Sequence, residues 1–194
     1  MTAARHFVSV VIAAAALAAV RVSAQELPMR DPAADAIDFS EKPFQEEKVK
    51  LPPAPKAEDL IEFDAGPTRR GFEHFVDGAT LSLGEDGVIR YTLVITSDAG
   101  ARNVSYEGMR CKTAERKVYA YGRRDGTWSK ARDQEWRSID QSTGEGPIYI
   151  LYDDFFCPGR SAVASASEAV AALKAGAHPR SSDETAERLI PLGR

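Results

Sequence analysis

LSLGEDGVIRYTLVITSDAGARNVSYEGMRCKTAERKVYAYGRRDG, residues 81–126, decides how this chain folds. Four runs within it suit extended strands: LSLG, VIRYTLVIT, ARNVSYEGMRC and ERKVYAYG. The breaks fall at Glu85-Asp86-Gly87, Asp98-Ala99-Gly100 and Arg124-Asp125-Gly126, where Gly supplies a positive φ and Asp bonds to nearby backbone. In the second run Ile89, Tyr91, Leu93 and Ile95 fall on one face, and Arg90, Thr92 and Thr96 fall on the other. That two-residue period marks a half-buried strand of an antiparallel sheet. In the third run Val104 and Tyr106 share one face, while Ser105, Glu107, Met109 and Cys111 share the other.

The flanks complete the domain. DLIEFDAGP (59–67) is extended and stopped by Gly66-Pro67. GFEHFVDG (71–78) then opens the domain, with Phe72, Phe75 and Val76 as core candidates and His74 expected on the surface or in a hairpin. PIYILYDDFFCPGR (147–160) leads into Cys157 as a strand end or a helix-like turn. Beyond it, Ser165-Ala166-Ser167-Glu168 fits a capping box. A helix follows through Ala169, Val170, Ala172 and Leu173, ends at Gly176 and is barred from continuing by His178-Pro179. Val170 and Leu173 should pack it on the sheet. The fold class expected is α+β: an antiparallel β-meander sheet with one C-terminal helix packed on it and a single disulfide, as one domain over 61–178. Residues 179–194 form a tail, with a weak helical turn at Glu184 to Leu189.

Residues 1–24 have the pattern of a secretory signal peptide: Arg5 and His6, an apolar run from Phe7 to Val20, then Val22-Ser23-Ala24 before Gln25. Cleavage is expected after Ala24. The apolar run is shorter than the ~20 residues that span a bilayer, so no stable span should remain after cleavage. From Gln25 to about residue 60 the chain mixes charge with Pro, including Leu51-Pro52-Pro53-Ala54-Pro55, and reads as a flexible lead-in. Ile37, Phe39 and Phe44 are its candidate docking points.

The 194 residues carry a formal net charge of -4 at pH 7. Loss of the leader, which holds Arg5 and Arg21 and no acid, would leave the chain two charges more negative. Such a balance gives no footprint for nucleic acid or anionic lipid. Arg123, Arg124, Lys130 and Arg132 cluster, but Asp125, Asp133 and Glu135 are interleaved. The two cysteines, Cys111 and Cys157, form an even pair in an exported chain and are expected to bridge. In the chain-entropy account that bridge is worth ~4 kcal/mol. Two Cys with scattered His6, His74 and His178 supply no metal site, so neither a metal nor a cofactor is expected. Asn103-Val104-Ser105 fits a glycosylation acceptor, which has meaning only in a eukaryotic secretory pathway.

Two functions fit these residues. In the first, Tyr106, Tyr119, Tyr121, Trp128 and Trp136 form an exposed, contiguous aromatic surface for an envelope protein or glycan partner. In the second, Glu107, Asp153 or Asp154 converge in a deep pocket as the acid and base of an envelope hydrolase or transferase. The chain contains no GxSxG, HExxH or glycine-rich phosphate loop, and adjacent Asp153 and Asp154 lack calcium-loop spacing. The binding or accessory module is the reading carried forward, with no catalytic residue assigned.

The run SLGEDGVIRYTLVITSDAGARNVSYEGMRC (82–111), then ERKVYAYGRRDGTW (115–128), Trp136, YDDFFCPG (152–159) and AALKAG (171–176) resembles the cryptic neisserial protein-like family of bacterial envelope proteins. The likeness covers roughly Phe72 to Gly176. It implies periplasmic export, often with a lipoprotein signal, and no assigned activity. Cys111 and Cys157 match the family's two cysteines. The chain has no lipobox Cys, so a soluble periplasmic protein is expected rather than a lipid-anchored one.

Overall fold

A computed structural model describes residues 43–66, 71–139 and 146–181. The expected signal peptide and cleavage site, Ile37, Phe39 and the residues after Ser181, with the expected helical turn at Glu184 to Leu189, lie outside these residues. Eight antiparallel strands pair within one sheet: β1 (Leu60–Glu62), β2 (Phe72–Asp77), β3 (Ser82–Leu83), β4 (Val88–Ser97), β5 (Arg102–Arg110), β6 (Glu115–Gly122), β7 (Trp128–Lys130) and β8 (Arg137–Ser138). The order is β1-β2-β4-β5-β6-β7; β3 shares the edge of β4 with β2, and β8 pairs with β6. The hairpin turns use the expected glycines, with φ 80° at Gly100 and 81° at Gly126. LSLG supplies only the two-residue β3, because β2 occupies the rest of that edge.

Two helical stretches lie on one face of the sheet. α1 (Gly146–Ile150) runs into a π-helical stretch, Leu151–Phe156, closed by an i→i+5 bond from the Cys157 N–H to the Tyr152 carbonyl, 2.8 Å. The wide turn lets consecutive rings reach the core: Phe155 meets Phe63 at 5.9 Å and Phe156 meets Tyr91 at 5.3 Å. Ile89, Leu93 and Met109 join them, and burial of such side chains contributes about 1.5–3 kcal/mol each. α2 (Ala166–Ala175) starts as its capping pattern dictates, Ser165 Oγ accepting from the Glu168 N–H at 3.1 Å. Glu168 reaches back one residue further, taking the Ala164 N–H at 2.5 Å. Gly176 ends the helix at φ 87°. The buried stripe of α2 is Ala169, Ala172 and Leu173, whereas Val170 is only half-buried; the small alanines let the helix approach closely.

Two further expectations are corrected. Phe72 is 50% exposed, since it begins β2 where no helix covers it. His74 is buried, its ring 5.8 Å from Phe63, because β1 and the helical layer enclose the middle of β2.

Cys111 and Cys157 form a disulfide with Cα atoms 5.2 Å apart and a sequence separation of 46. It ties the end of β5 to the end of the π-helical stretch, ahead of α2, and the Tyr152 hydroxyl donates to the Cys111 carbonyl beside it, 3.1 Å. Replacing both cysteines by Ser is expected to lower stability by about 4 kcal/mol. Urea unfolding of that variant should coincide with unfolding of the parent chain in reductant.

Candidate functional site

The face of the sheet away from the helices is built around β4. Arg90, Thr92 and Val94 point to it, opposite Gly108, Tyr106 and Val104 of β5. Between Tyr106 and Glu107 the pairing with β6 slips by one residue, leaving Tyr119 as the extra residue of a β-bulge. The bulge lays the Tyr119 ring over Gly108, where a Cβ would stand 2.9 Å from the ring carbons. Only Gly leaves room there. Tyr106 then meets Tyr119 at 5.7 Å and Trp128 at 6.1 Å, three rings in a row across β5, β6 and β7.

These rings are covered. Residues 43–56, grouped by composition with the flexible lead-in, cross over them without forming a helix or a strand. The hydroxyl of Tyr119 donates to Glu46 Oε1 at 2.8 Å, and Lys117 Nζ donates to Glu46 Oε2 at 2.7 Å. Trp128 Nε1 donates to the Pro52 carbonyl at 2.7 Å. Glu47 accepts from the Glu85 N–H and gives its own N–H to Asp86, both 2.9 Å. Phe44 stands edge-on to Trp136, ring centroids 5.9 Å apart, with the Arg110 guanidinium 3.7 Å from its centre. The half-buried positions of this strap are Glu46, Val49, Pro52 and Pro55. They recur every third residue, the period of a polyproline II helix.

Electrostatics follow from the cover. Burial pushes the Tyr119 hydroxyl well above its ordinary range, and the bond to Glu46 and that carboxylate's charge push it further. Burial also raises Tyr106, against the opposing influence of Arg90 and a bond to Ser82. Arg90 is buried and held bidentately by Asp86 at 2.5 and 3.1 Å, with Glu47 at 3.8 Å; its Nε has no partner among the described residues. For Asp86, burial acts upward, but the bonds from Arg90 and from the Glu47 and Val88 N–H groups outweigh it and hold the carboxyl below its ordinary value.

The five aromatic residues expected to share an exposed surface are therefore divided. Tyr106 and Tyr119 are buried, Trp128 and Trp136 half-buried, all on the strap face. Tyr121 pairs with Ser105 and lies on the opposite face, 52% exposed. The carboxylates do not converge. Glu107 is buried on the helical side, accepting from Tyr91 Oη (3.0 Å), Ser105 Oγ (2.6 Å) and Arg116 Nη1 (3.2 Å). Asp153 and Asp154 sit on the π-helical turn, where burial and the charge of Asp153 raise Asp154. Sequence reasoning missed Glu46, Lys117 and Arg90 as members of the aromatic face. The available signal was Gly108, a glycine in mid-strand that marks a close overlying group.

A sequence profile of the CNP1-like family matches residues 39–174, a span that starts ahead of the strap and ends within α2. The chain belongs to the CNP1-like family. It is 30% identical over 132 residues to "Cryptic neisserial protein 1" of Neisseria gonorrhoeae, covering 60% of this chain and 64% of that protein. Neither description names an activity. No solved structure matches. Among the described residues of this CNP1-like chain, no group of three or more His, Cys, Asp and Glu could hold a metal ion, and no helix is long and apolar enough to cross a membrane.

Asp86→Asn tests the pairing beneath the strap. The variant leaves the buried Arg90 only the more distant Glu47 as counter-charge, and a loss of about 3 kcal/mol is expected at neutral pH. Because the folded pKa of Asp86 is depressed, its contribution is present above the ordinary value of 3.8 and is lost as pH falls through the depressed one. Stability measured from pH 6 downward should therefore fall less steeply below pH ~4 in the variant than in the parent chain.

Proposed function

We propose that this CNP1-like protein is exported to the periplasm and works there as a non-catalytic binding or accessory module of the cell envelope. Its aromatic face takes an extended, proline-containing peptide of a protein partner. The leader-like residues 1–24 and the Cys111–Cys157 bridge support export into an oxidising compartment.

One observation carries the binding reading. The row Tyr119, Tyr106 and Trp128 already holds a segment with polyproline II periodicity, and Trp128 gives its indole N–H to the carbonyl of Pro52. An aromatic groove with such a donor is the general means of recognising polyproline II ligands, which arrive with their backbone carbonyls free. Lys117, bonded to Glu46, adds a preference for an acid six residues ahead of the proline. A tethered segment is held at an effective concentration of roughly millimolar. The strap therefore fills the face even with weak intrinsic affinity, and a partner peptide of like chemistry can displace it.

The test uses the full chain and a synthetic peptide of residues 43–56. In a variant carrying Glu46→Ala and Pro52→Ala the tethered strap is weakened while the face is intact. Adding the peptide should shift the Trp128 indole N–H resonance saturably, with an affinity at least about tenfold higher than for the parent chain. If the resonance does not move in the variant, the strap is a fixed part of the fold and the reading fails.

A further inference from the structure

The helical face of the sheet is only partly covered, and β5 breaks its pattern there. Ile89, Tyr91 and Leu93 on β4 and Met109 on β5 are core residues, yet β5 sends Asn103, Ser105 and Glu107 to the same side. The three form a polar column that descends from the exposed Asn103 through the half-buried Ser105 to the buried Glu107. A polar column on the face that elsewhere makes the core is a local rule broken, and such breaks concentrate at functional sites. Glu107 adds nothing to packing that an apolar residue could not, and three side chains are spent on satisfying it: Tyr91, Ser105 and Arg116.

Above the column lies a cleft of about 660 Å³, walled on one side by Pro147 and Ile148 at the start of α1. Its size is that of a small-molecule site. Phe72 on β2 and Tyr121 on β6 stand at its two sides, 50% and 52% exposed, and are its two most exposed large apolar side chains. The lining also includes Arg102 and Arg116 against the carboxylate of Glu107. That balance disfavours a cation. Exposed rings flanking neighbouring hydroxyl, amide and carboxylate groups suit a ligand that offers both a flat apolar patch and many hydroxyls.

We infer that this cleft is a saccharide-binding site, taking a short neutral or acidic oligosaccharide. Phe72 and Tyr121 stack on sugar rings, and Asn103 and Ser105 bond to their hydroxyls. Glu107, fixed by its three donors, is the rigid floor. The ligand-contacting residues Phe72, Asn103, Ser105 and Tyr121 lie on the opposite face from the peptide groove, so the site does not depend on that reading, although the cleft's lining reaches Arg102, Val104 and Gly122 of the strap face.

Titration of the full chain, followed by amide resonances, tests it with two probes: maltotriose as a neutral saccharide, and the N-acetylglucosamine–N-acetylmuramic acid disaccharide as an acidic one. Saturable shifts at Asn103, Ser105, Glu107 and Tyr121 with either probe are expected, and the probe that acts assigns the ligand as neutral or acidic. Tyr121→Ala and Phe72→Ala, both at exposed positions, should each weaken binding about tenfold with no change in thermal unfolding. Trp128→Ala should leave it unchanged. Absence of saturable shifts with both probes would overturn the inference, as would shifts that map to the Trp128 face or survive loss of both rings.

Discussion

Strand β4 is buried on both faces from Val88 to Val94, and a strand in that position must be covered twice. The helices after β8 supply one cover and anchor it through the disulfide. The other cover comes from the Tyr119 ring over Arg90, from Thr80 at Thr92, and from the strap of residues 43–56, which holds Tyr119 down and reaches Arg90 through Glu47. The polar residues on that second face, Arg90 and Thr92, are tolerated under the strap only because each has a partner: Asp86 for Arg90, Thr80 for Thr92 at 3.0 Å. Without the strap the Tyr119 hydroxyl would lose its acceptor and the aromatic row would face water.

The two covers differ in kind. The helical layer packs by apolar contact and a covalent link, and its interior is a continuous core. The strap is held by side-chain hydrogen bonds, ion pairs and ring contacts, most of which involve a charged group. Apolar packing of the first kind is uniform and hard to exchange; side-chain bonds of the second kind are directional, and each can be replaced by an equivalent donor or acceptor. The sheet thus has one face closed by apolar packing and a covalent link, and another closed by directional polar contacts.

How much was legible in the sequence follows from the range of each interaction. The meander, its turns, the helix cap and the cysteine pair are written in local patterns or in a count, and all are present in the structure. Arg90 and Thr92 looked solvent-facing because alternation reports only that a face is polar; whether another segment covers it is a tertiary fact. The strap was invisible because its period is three and its inward residues include Glu46, so it carries neither helical nor strand periodicity and its composition is that of a solvated linker. The two-face division of the aromatic residues turns on a single bulge at Tyr119, which no propensity marks. His74 and Phe72 exchanged their expected environments because the reach of the helical layer across β2 depends on where α1 begins.

The bonds of the strap to the aromatic face join residues 71 to 76 positions apart, and those to the turn before β4 join residues 38 and 39 apart. As the chain is made from its N-terminus, the strap emerges ahead of every strand it rests on, about seventy residues before β6 and β7. It therefore spends the whole interval without its partner. A segment destined to pair as a β-strand would be a hazard over that time, since its unpaired backbone could template pairing with other chains. A polyproline II segment is solvated along its whole backbone and has no such edge to offer. The strap forms no strand, and its three-residue burial period suits such a segment, so it offers no β edge while it waits for the sheet.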